Sequence, residues 1–188
     1  MPENKIKITG GKLKSRVLNY NSTNPLIKPT KSYIRETLFN VIPISEKSIC
    51  LDLYSGSGIL SAESISRGAK FSTLLENDAK TILKIEEEFE KLEIDNFKAI
   101  SEDVIKFLKK SKHFNYDVIF VDPPYKSELL NITIEILIKC DLKKNSYIYI
   151  EQNKKLYNEN ILNLLDNSHN IIKNLSIGDV TYTIAKKR

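Results

Sequence analysis

The chain has few of the residues that staple or ligate: two cysteines and two histidines in 188 residues. Cys50 and Cys140 each sit in an apolar stretch, Ser-Ile-Cys50-Leu and Ile-Lys-Cys140-Asp-Leu. That setting marks packing residues rather than a disulfide or a metal site. His113 and His169 have no partners at ligand spacing, so no metal is expected. A chain of this length buries enough surface to fold without either device. No apolar run approaches the roughly 20 residues that cross a bilayer. The N-terminus, MPENKIKITGGKLK, is polar and basic with no signal-peptide core. A cytoplasmic protein without a membrane partner is therefore expected. The 41% hydrophobic and 28% charged content is that of an ordinary soluble chain.

Acid is also scarce, in one place. Residues 1–35 hold Lys5, Lys7, Lys12, Lys14, Arg16, Lys28, Lys31 and Arg35 against Glu3 alone. The net charge is only +5 and the pI about 9.0, so the basic excess is gathered at one end. Such a patch suits a polyanionic partner.

Short apolar runs and amphipathic segments then set the layout. Ile6-Lys7-Ile8-Thr9 and Lys14-Ser15-Arg16-Val17-Leu18 flank Gly10-Gly11, which predicts a β-hairpin with a glycine turn. Thr30 reads as the N-cap of a helix carrying Ile34, Leu38, Val41 and Ile42 on one face, ended by Pro43. From residue 48 strands are expected over 48–53, 73–76, 97–100, 118–121 and 147–150. Helices alternate with them over 59–67, 79–92, 104–110 and 129–139. The run Val118-Ile119-Phe120-Val121 is wholly apolar, as befits a central strand. Residues 171–177 and 180–185, separated by Gly178-Asp179, predict a terminal hairpin at an antiparallel edge. The pattern is α/β, a mostly parallel sheet with helices on both faces. It divides into an N-terminal extension over 1–45 and a main domain over 46–188.

Four features carry chemistry. Asp52-Leu53-Tyr54-Ser55-Gly56-Ser57-Gly58 follows the first strand of the main domain, where open α/β sheets bind ligands. It is not a full dinucleotide fingerprint, because Ser61 stands where a third glycine belongs. Glu76 ends the next strand and can accept from ribose hydroxyls. Asp103 opens a helix; it caps that helix or accepts from an adenine amino group. The deciding feature is Asp122-Pro123-Pro124-Tyr125, directly after the apolar strand. There a carboxylate and a proline carbonyl can hold an exocyclic amine, prolines can stiffen the turn, and an aromatic ring can stack on a flipped base. Methyl transfer to such an amine needs alignment more than a nucleophile or metal.

With these motifs the sequence resembles the RsmD family, bacterial methyltransferases acting on the N2 amine of a guanine in 16S ribosomal RNA. The resemblance runs through Ile8-Thr9-Gly10-Gly11-Lys12, Lys28-Pro29-Thr30, Arg35-Glu36-Thr37-Leu38-Phe39-Asn40, the glycine loop, Glu76, Asp122-Pro123-Pro124-Tyr125 and Gly178-Asp179-Val180-Thr181-Tyr182. It implies the class I methyltransferase (Rossmann-like) sheet of seven strands with S-adenosylmethionine as cofactor. Its partner would be 16S rRNA, in the small ribosomal subunit or an assembly intermediate, met by a monomer. By position, Asp52, Tyr54, Gly56, Gly58, Glu76 and Asp103 would contact the cofactor. Asp122, Pro123 and Tyr125 would hold the guanine, and Lys12, Lys14, Arg16, Lys28 and Arg35 would grip RNA. The family pattern has arginine where Lys28 and Tyr33 stand, and losing a guanidinium weakens bidentate phosphate contact. Competing readings are a DNA adenine-N6 methyltransferase, for which little of the chain is left to make a target-recognition domain, and a catalytically silent RNA-binding assembly factor. A dehydrogenase is disfavoured by Ser61 and the Asp-Pro-Pro-Tyr run.

Changing Lys12, Lys14 and Arg16 together to Glu is expected to weaken RNA binding, with the salt dependence of affinity reduced. Filter binding at several salt concentrations checks this. Unchanged affinity at low salt would remove the hairpin from the interface.

Overall fold

Four-residue runs buried on both faces belong inside a parallel sheet. The computed structural model, which describes residues 3–21, 28–125 and 128–188, places them there. β1 (Glu3–Lys7) and β2 (Val17–Asn21) form an antiparallel hairpin, and α1 (Ser32–Val41) follows. The main domain alternates through β3 (Ile49–Asp52), α2 (Ile59–Ser66), β4 (Phe71–Glu76), α3 (Ala79–Lys91), β5 (Phe97–Ser101) and α4 (Val104–Lys109). Next come β6 (His113–Phe114), β7 (Val118–Val121), α5 (Leu129–Leu137) and β8 (Asp141–Leu142), which pairs with β6. β9 (Tyr147–Asn153) leads through a 3-10 turn at Lys154–Leu156 to α6 (Asn160–Asp166). The chain closes with β10 (His169–Ile177) and β11 (Val180–Lys187).

The seven-stranded sheet runs β10-β11-β9-β7-β3-β4-β5, with β7 at its centre. β9, β7, β3, β4 and β5 are parallel to one another, and β11 is antiparallel to both β9 and β10. The terminal hairpin forms the antiparallel edge of the sheet, as the sequence predicts. Its second strand is slotted inside the sheet, and β10 becomes the edge. β11 is the more buried of the two, from Val180 to Ala185, as a strand with neighbours on both sides must be. Helix α6 was not foreseen, since seven residues barely complete two turns and carry little periodicity. Nor were the two-residue strands β6 and β8.

Alternation along β7 assigns the two faces. Ile119 and Val121 pack with Ile134, Leu137, Ile161 and Leu165 from α5 and α6. Val118 and Phe120 face the other way, toward Ile34, Leu38 and Phe39 of α1 and Tyr149 of β9. The Phe120 ring meets Phe39 and Tyr149 edge to face, at 6.1 and 6.3 Å between centroids.

The N-terminal extension has no core of its own. Ile6, Ile8 and Leu18 are buried against Ile59, Ala62, Ile65, Ile85 and Phe89 of α2 and α3. Each such side chain contributes about 1.5–3 kcal/mol when fully buried, so the hairpin is fastened rather than tethered. Gly10-Gly11 is not a tight turn between adjacent strands, as the sequence suggested. It is the point where the β1–β2 loop presses on the end of α2. Lys12 N–H donates to the Ser66 carbonyl at 2.6 Å, and Leu13 N–H to Ser66 Oγ at 2.9 Å. At Gly11 (φ +76°) a Cβ would lie 1.9 Å from that carbonyl oxygen, so only glycine fits.

Charge completes the attachment. Glu63 of α2 is fully buried and accepts from Thr9 N–H (2.7 Å), Thr9 Oγ1 (3.1 Å), Arg35 Nε (3.0 Å) and Arg67 Nε (3.4 Å). Arg35 is 2% exposed and also donates to the carbonyls of Lys7 (2.7 Å) and Thr30. The expectation that Arg35 grips RNA phosphate is thereby corrected: its guanidinium is spent inside the protein, joining β1, α1 and α2. Thr30 likewise is not a helix cap. The N-cap is Lys31, without a side-chain hydrogen bond.

Among the described residues no helix is long and apolar enough to cross a membrane, and no group of His, Cys, Asp and Glu could hold a metal ion.

Replacing Glu63 by Ala leaves Arg35 buried without its counter-charge, an arrangement that costs about 3–5 kcal/mol. Urea unfolding of Glu63→Ala should show a loss of that size. A loss under about 1 kcal/mol is what an exposed ion pair gives and would deny the pair this anchoring role.

Candidate active site

The carboxyl ends of the parallel strands face one cleft of about 1170 Å³, lined by Lys28, Thr30, Asp52, Tyr54, Gly56, Glu76, Asp103 and the whole of Asp122-Pro123-Pro124-Tyr125. Single ligand pockets run to roughly 300–1,000 Å³, so two ligands side by side can be accommodated. An acid stands at or just beyond four of these strand ends: Asp52 on β3, Glu76 on β4, Asp103 after β5 and Asp122 after β7.

The loop after β3 is shaped by hydrogen bonds to its neighbour. Ser55 N–H donates to the Leu75 carbonyl at 2.9 Å, and Gly56 N–H to Glu76 Oε2 at 3.1 Å. Asp78 N–H donates to Glu76 Oε1, also at 3.1 Å. Glu76 is thus oriented by two backbone amides at the strand end. The two glycines differ in what they do. Gly56 lines the cleft. Gly58 is not among the lining residues; it begins α2 in the left-handed region (φ +76°), and a Cβ on it would touch Ile85 and Phe89 at 3.2–3.3 Å. It lets α2 start against α3.

Asp52 is 2% exposed, and its Oδ2 accepts from Ser61 Oγ at 3.0 Å, which in turn accepts from Ser72 Oγ at 2.8 Å. Burial pushes the Asp52 carboxyl up to about 7, the Ser61 bond opposing and the charge of Glu76 adding. The serine that breaks the dinucleotide pattern therefore orients a buried acid. Tyr54 bonds through its hydroxyl to Thr133 of α5 at 2.6 Å, and burial lifts it to about 12. Asp103 caps α4 with Oδ1, accepting from Lys106 N–H at 2.9 Å, and still lines the cleft.

Across the cleft, removal from water raises the Asp122 carboxyl well above the ordinary range, and the charges of Glu151 and Asp52 raise it further. The Tyr125 hydroxyl donates to Glu151 Oε1 at 2.6 Å, and the ring is half-buried. Glu151, within β9, is a site residue that the sequence motifs do not mark, because no proline-aromatic turn follows it. The signal was present, since it directly follows an apolar strand run, as Asp122 does. Lys12, Lys14 and Arg16 are exposed on the β1–β2 loop, apart from the cleft lining. Lys28 is exposed at the cleft itself.

The model of a family described as conserved hypothetical protein 95 matches residues 6–186. A protein named ribosomal RNA small subunit methyltransferase D, from Buchnera aphidicola subsp. Acyrthosiphon pisum, is 45% identical over 153 residues, 80% of each chain. The chain belongs to the RsmD family. A relative of the same name from Escherichia coli is 34% identical over 148 residues, covering 78% of this chain and 74% of its own. The solved structure of a putative methylase from Haemophilus influenzae superposes with a TM-score of 0.81 at 28% identity, over 98% of this chain and 99% of that one. The fold is that of the class I methyltransferases. The donor set fits this family's cofactor, S-adenosylmethionine. A cleft walled by Asp52, Glu76, Asp103 and Asp122 favours a cationic ligand, and a sulfonium carries that charge.

The raised Asp52 carboxyl makes a pH prediction for the ligand-free protein. A carboxyl whose folded pKa exceeds its unfolded value of 3.8 stabilises fully below 3.8 and loses that contribution as pH rises through about 7. Asp52→Asn is therefore expected to melt increasingly above the parent protein from pH 4 to 7, the gap then levelling off. Thermal melts across that range check it. A constant gap would mean that Asp52 titrates normally.

Proposed function

We propose that this protein transfers a methyl group from S-adenosylmethionine to the exocyclic N2 amine of a guanine in 16S rRNA. One observation carries the reading: the glycine loop with Glu76 and the Asp122-Pro123-Pro124-Tyr125 turn wall the same cleft. The names of its relatives as ribosomal RNA small subunit methyltransferases support the substrate class, and the guanine amine is the acceptor that the motif resemblance implies.

S-adenosylmethionine supplies a methyl group on a positively charged sulfur. Glu76, held by the amides of Gly56 and Asp78, would accept from the ribose hydroxyls. Asp103 would accept from the adenine amine with the oxygen that does not cap α4. Asp52 and Tyr54 line the same end, and Gly56 lets the backbone come close. On the acceptor side, Asp122 and the Pro123 carbonyl accept from the guanine amine and turn its nitrogen toward the methyl. The proline pair holds this arrangement, so little ordering is required at each turnover. Ionised, Asp122 can take the proton that the nitrogen releases, a transfer that its raised proton affinity favours. Tyr125 stacks on the base through its ring. Lys28 at the cleft and Lys12, Lys14 and Arg16 on the hairpin loop serve as phosphate contacts, where cations count most.

Asp122→Ala is expected to abolish transfer of labelled methyl to naked rRNA and to small subunits, with cofactor affinity within a few-fold of the parent. Nucleoside digestion of RNA treated with the parent protein should yield N2-methylguanosine. Methyl on another atom would overturn the guanine assignment, and full activity in Asp122→Ala would remove that residue from the mechanism.

A further inference from the structure

Behind the base-holding wall lies a buried residue that methyl transfer, as derived above, leaves without a role. Ile150 pairs with Val121 in the parallel β7–β9 register, which brings Glu151 beside Asp122. Glu151 is 3% exposed, and both carboxylate oxygens are engaged: Oε1 accepts from Tyr125 at 2.6 Å and Oε2 from Tyr149 at 2.7 Å. Tyr149 is fully buried, its ring 6.3 Å from Phe120 and 6.2 Å from Tyr182. Packing at that density leaves Tyr149 one position. The carboxylate is thus anchored to the core on one side and grips the Asp-Pro-Pro-Tyr turn on the other.

The two prolines restrict the backbone before Tyr125 but not the torsions of its side chain. The hydroxyl bond to Glu151 fixes where the ring axis points, and so where the ring stands in the cleft. Stability alone does not account for an acid here, because a buried carboxylate beside another is costly and an apolar residue in a strand is not. Asp122, Lys31 and the two tyrosines are the charged and titratable groups acting on Glu151, with Lys31 partly offsetting the negative charge. Asp179 acts on Tyr125 from the β10–β11 turn.

We infer that Glu151 is a positioning residue for the reaction, fixing the place and axis of the Tyr125 ring so that the stacked base presents its amine to Asp122. The inference rests on the reading of Tyr125 as the stacking platform. With the hydroxyl held inward, the ring face is what remains for the base.

The test is steady-state methyl transfer to small subunits by Glu151→Ala, Glu151→Gln, Tyr125→Phe, Tyr125→Ala and the Glu151→Ala/Tyr125→Phe double variant, with cofactor binding measured by calorimetry. A misplacement of about 1 Å can lower a rate about 100-fold. Glu151→Ala and Tyr125→Phe should each lower kcat/KM for RNA by roughly ten- to a hundredfold, with cofactor affinity within twofold. The double variant should be no worse than the poorer single one, the mark of two residues acting through one contact. Glu151→Gln keeps an acceptor oxygen and should recover most of the activity. Tyr125→Phe breaks the same bond from the other end, so it decides the matter if Glu151→Ala does not fold. Additive losses, or full activity in Tyr125→Phe alongside a loss in Tyr125→Ala, overturn the role of Glu151 alone. Full activity in Tyr125→Ala overturns the stacking reading beneath it.

Discussion

Two opposite charges taken out of water are tolerable only when nearly every donor and acceptor around them is used, and the Arg35–Glu63 pair meets that condition. Glu63 accepts from four donors and Arg35 gives to two carbonyls besides. The partners come from β1, the loop before α1, α1 itself and α2, so the pair can close only when all four are in register. That makes it a test of correct assembly as well as a bond. The same contact brings the Thr30 carbonyl inward, and residues 28–30 then form one wall of the cleft. Without it the basic extension would keep its apolar contacts and the hydrogen bonds of its loop to Ser66, but Lys28 would have no fixed relation to the Asp122 turn.

The rest of the site follows from parallel strands. Strands that point one way deliver their next residues to one edge, and there Asp52, Glu76, Asp103, Asp122 and Glu151 gather from five strands. Like charges so arranged resist ionisation. Asp52, Asp122 and Glu151 are all raised, by burial first. The free protein stores this as acids that hold protons readily, and a cationic ligand or a hydrogen-bond donor relieves it.

Several residues were misread from the chain for a common reason. Arg35 sits among lysines in a basic segment, and its membership of that segment says nothing about which way its side chain turns. Gly10-Gly11 reads locally as a hairpin turn and Gly58 as part of a ligand loop, the usual local duties of glycine. In the folded protein their missing side chains also make room for α2's last carbonyl and for α3. Such duties are set by elements distant in sequence. Glu151 follows the predicted strand 147–150 with no motif after it, and an acid so placed looks exposed until the neighbouring strands are in place.

The alternation of strand and helix, the central place of Val118–Val121 and the motifs at the strand ends are legible in the residues alone. These depend on short-range pattern: periodicity, proline, glycine and the switch from apolar to acidic. That β11 lies between β9 and β10, that Arg35 is an internal tie and that Tyr125 is held by Glu151 emerges only on folding. Each of those outcomes depends on which distant surfaces are desolvated together. Burial is a property of the assembled chain, and no local window of residues contains it.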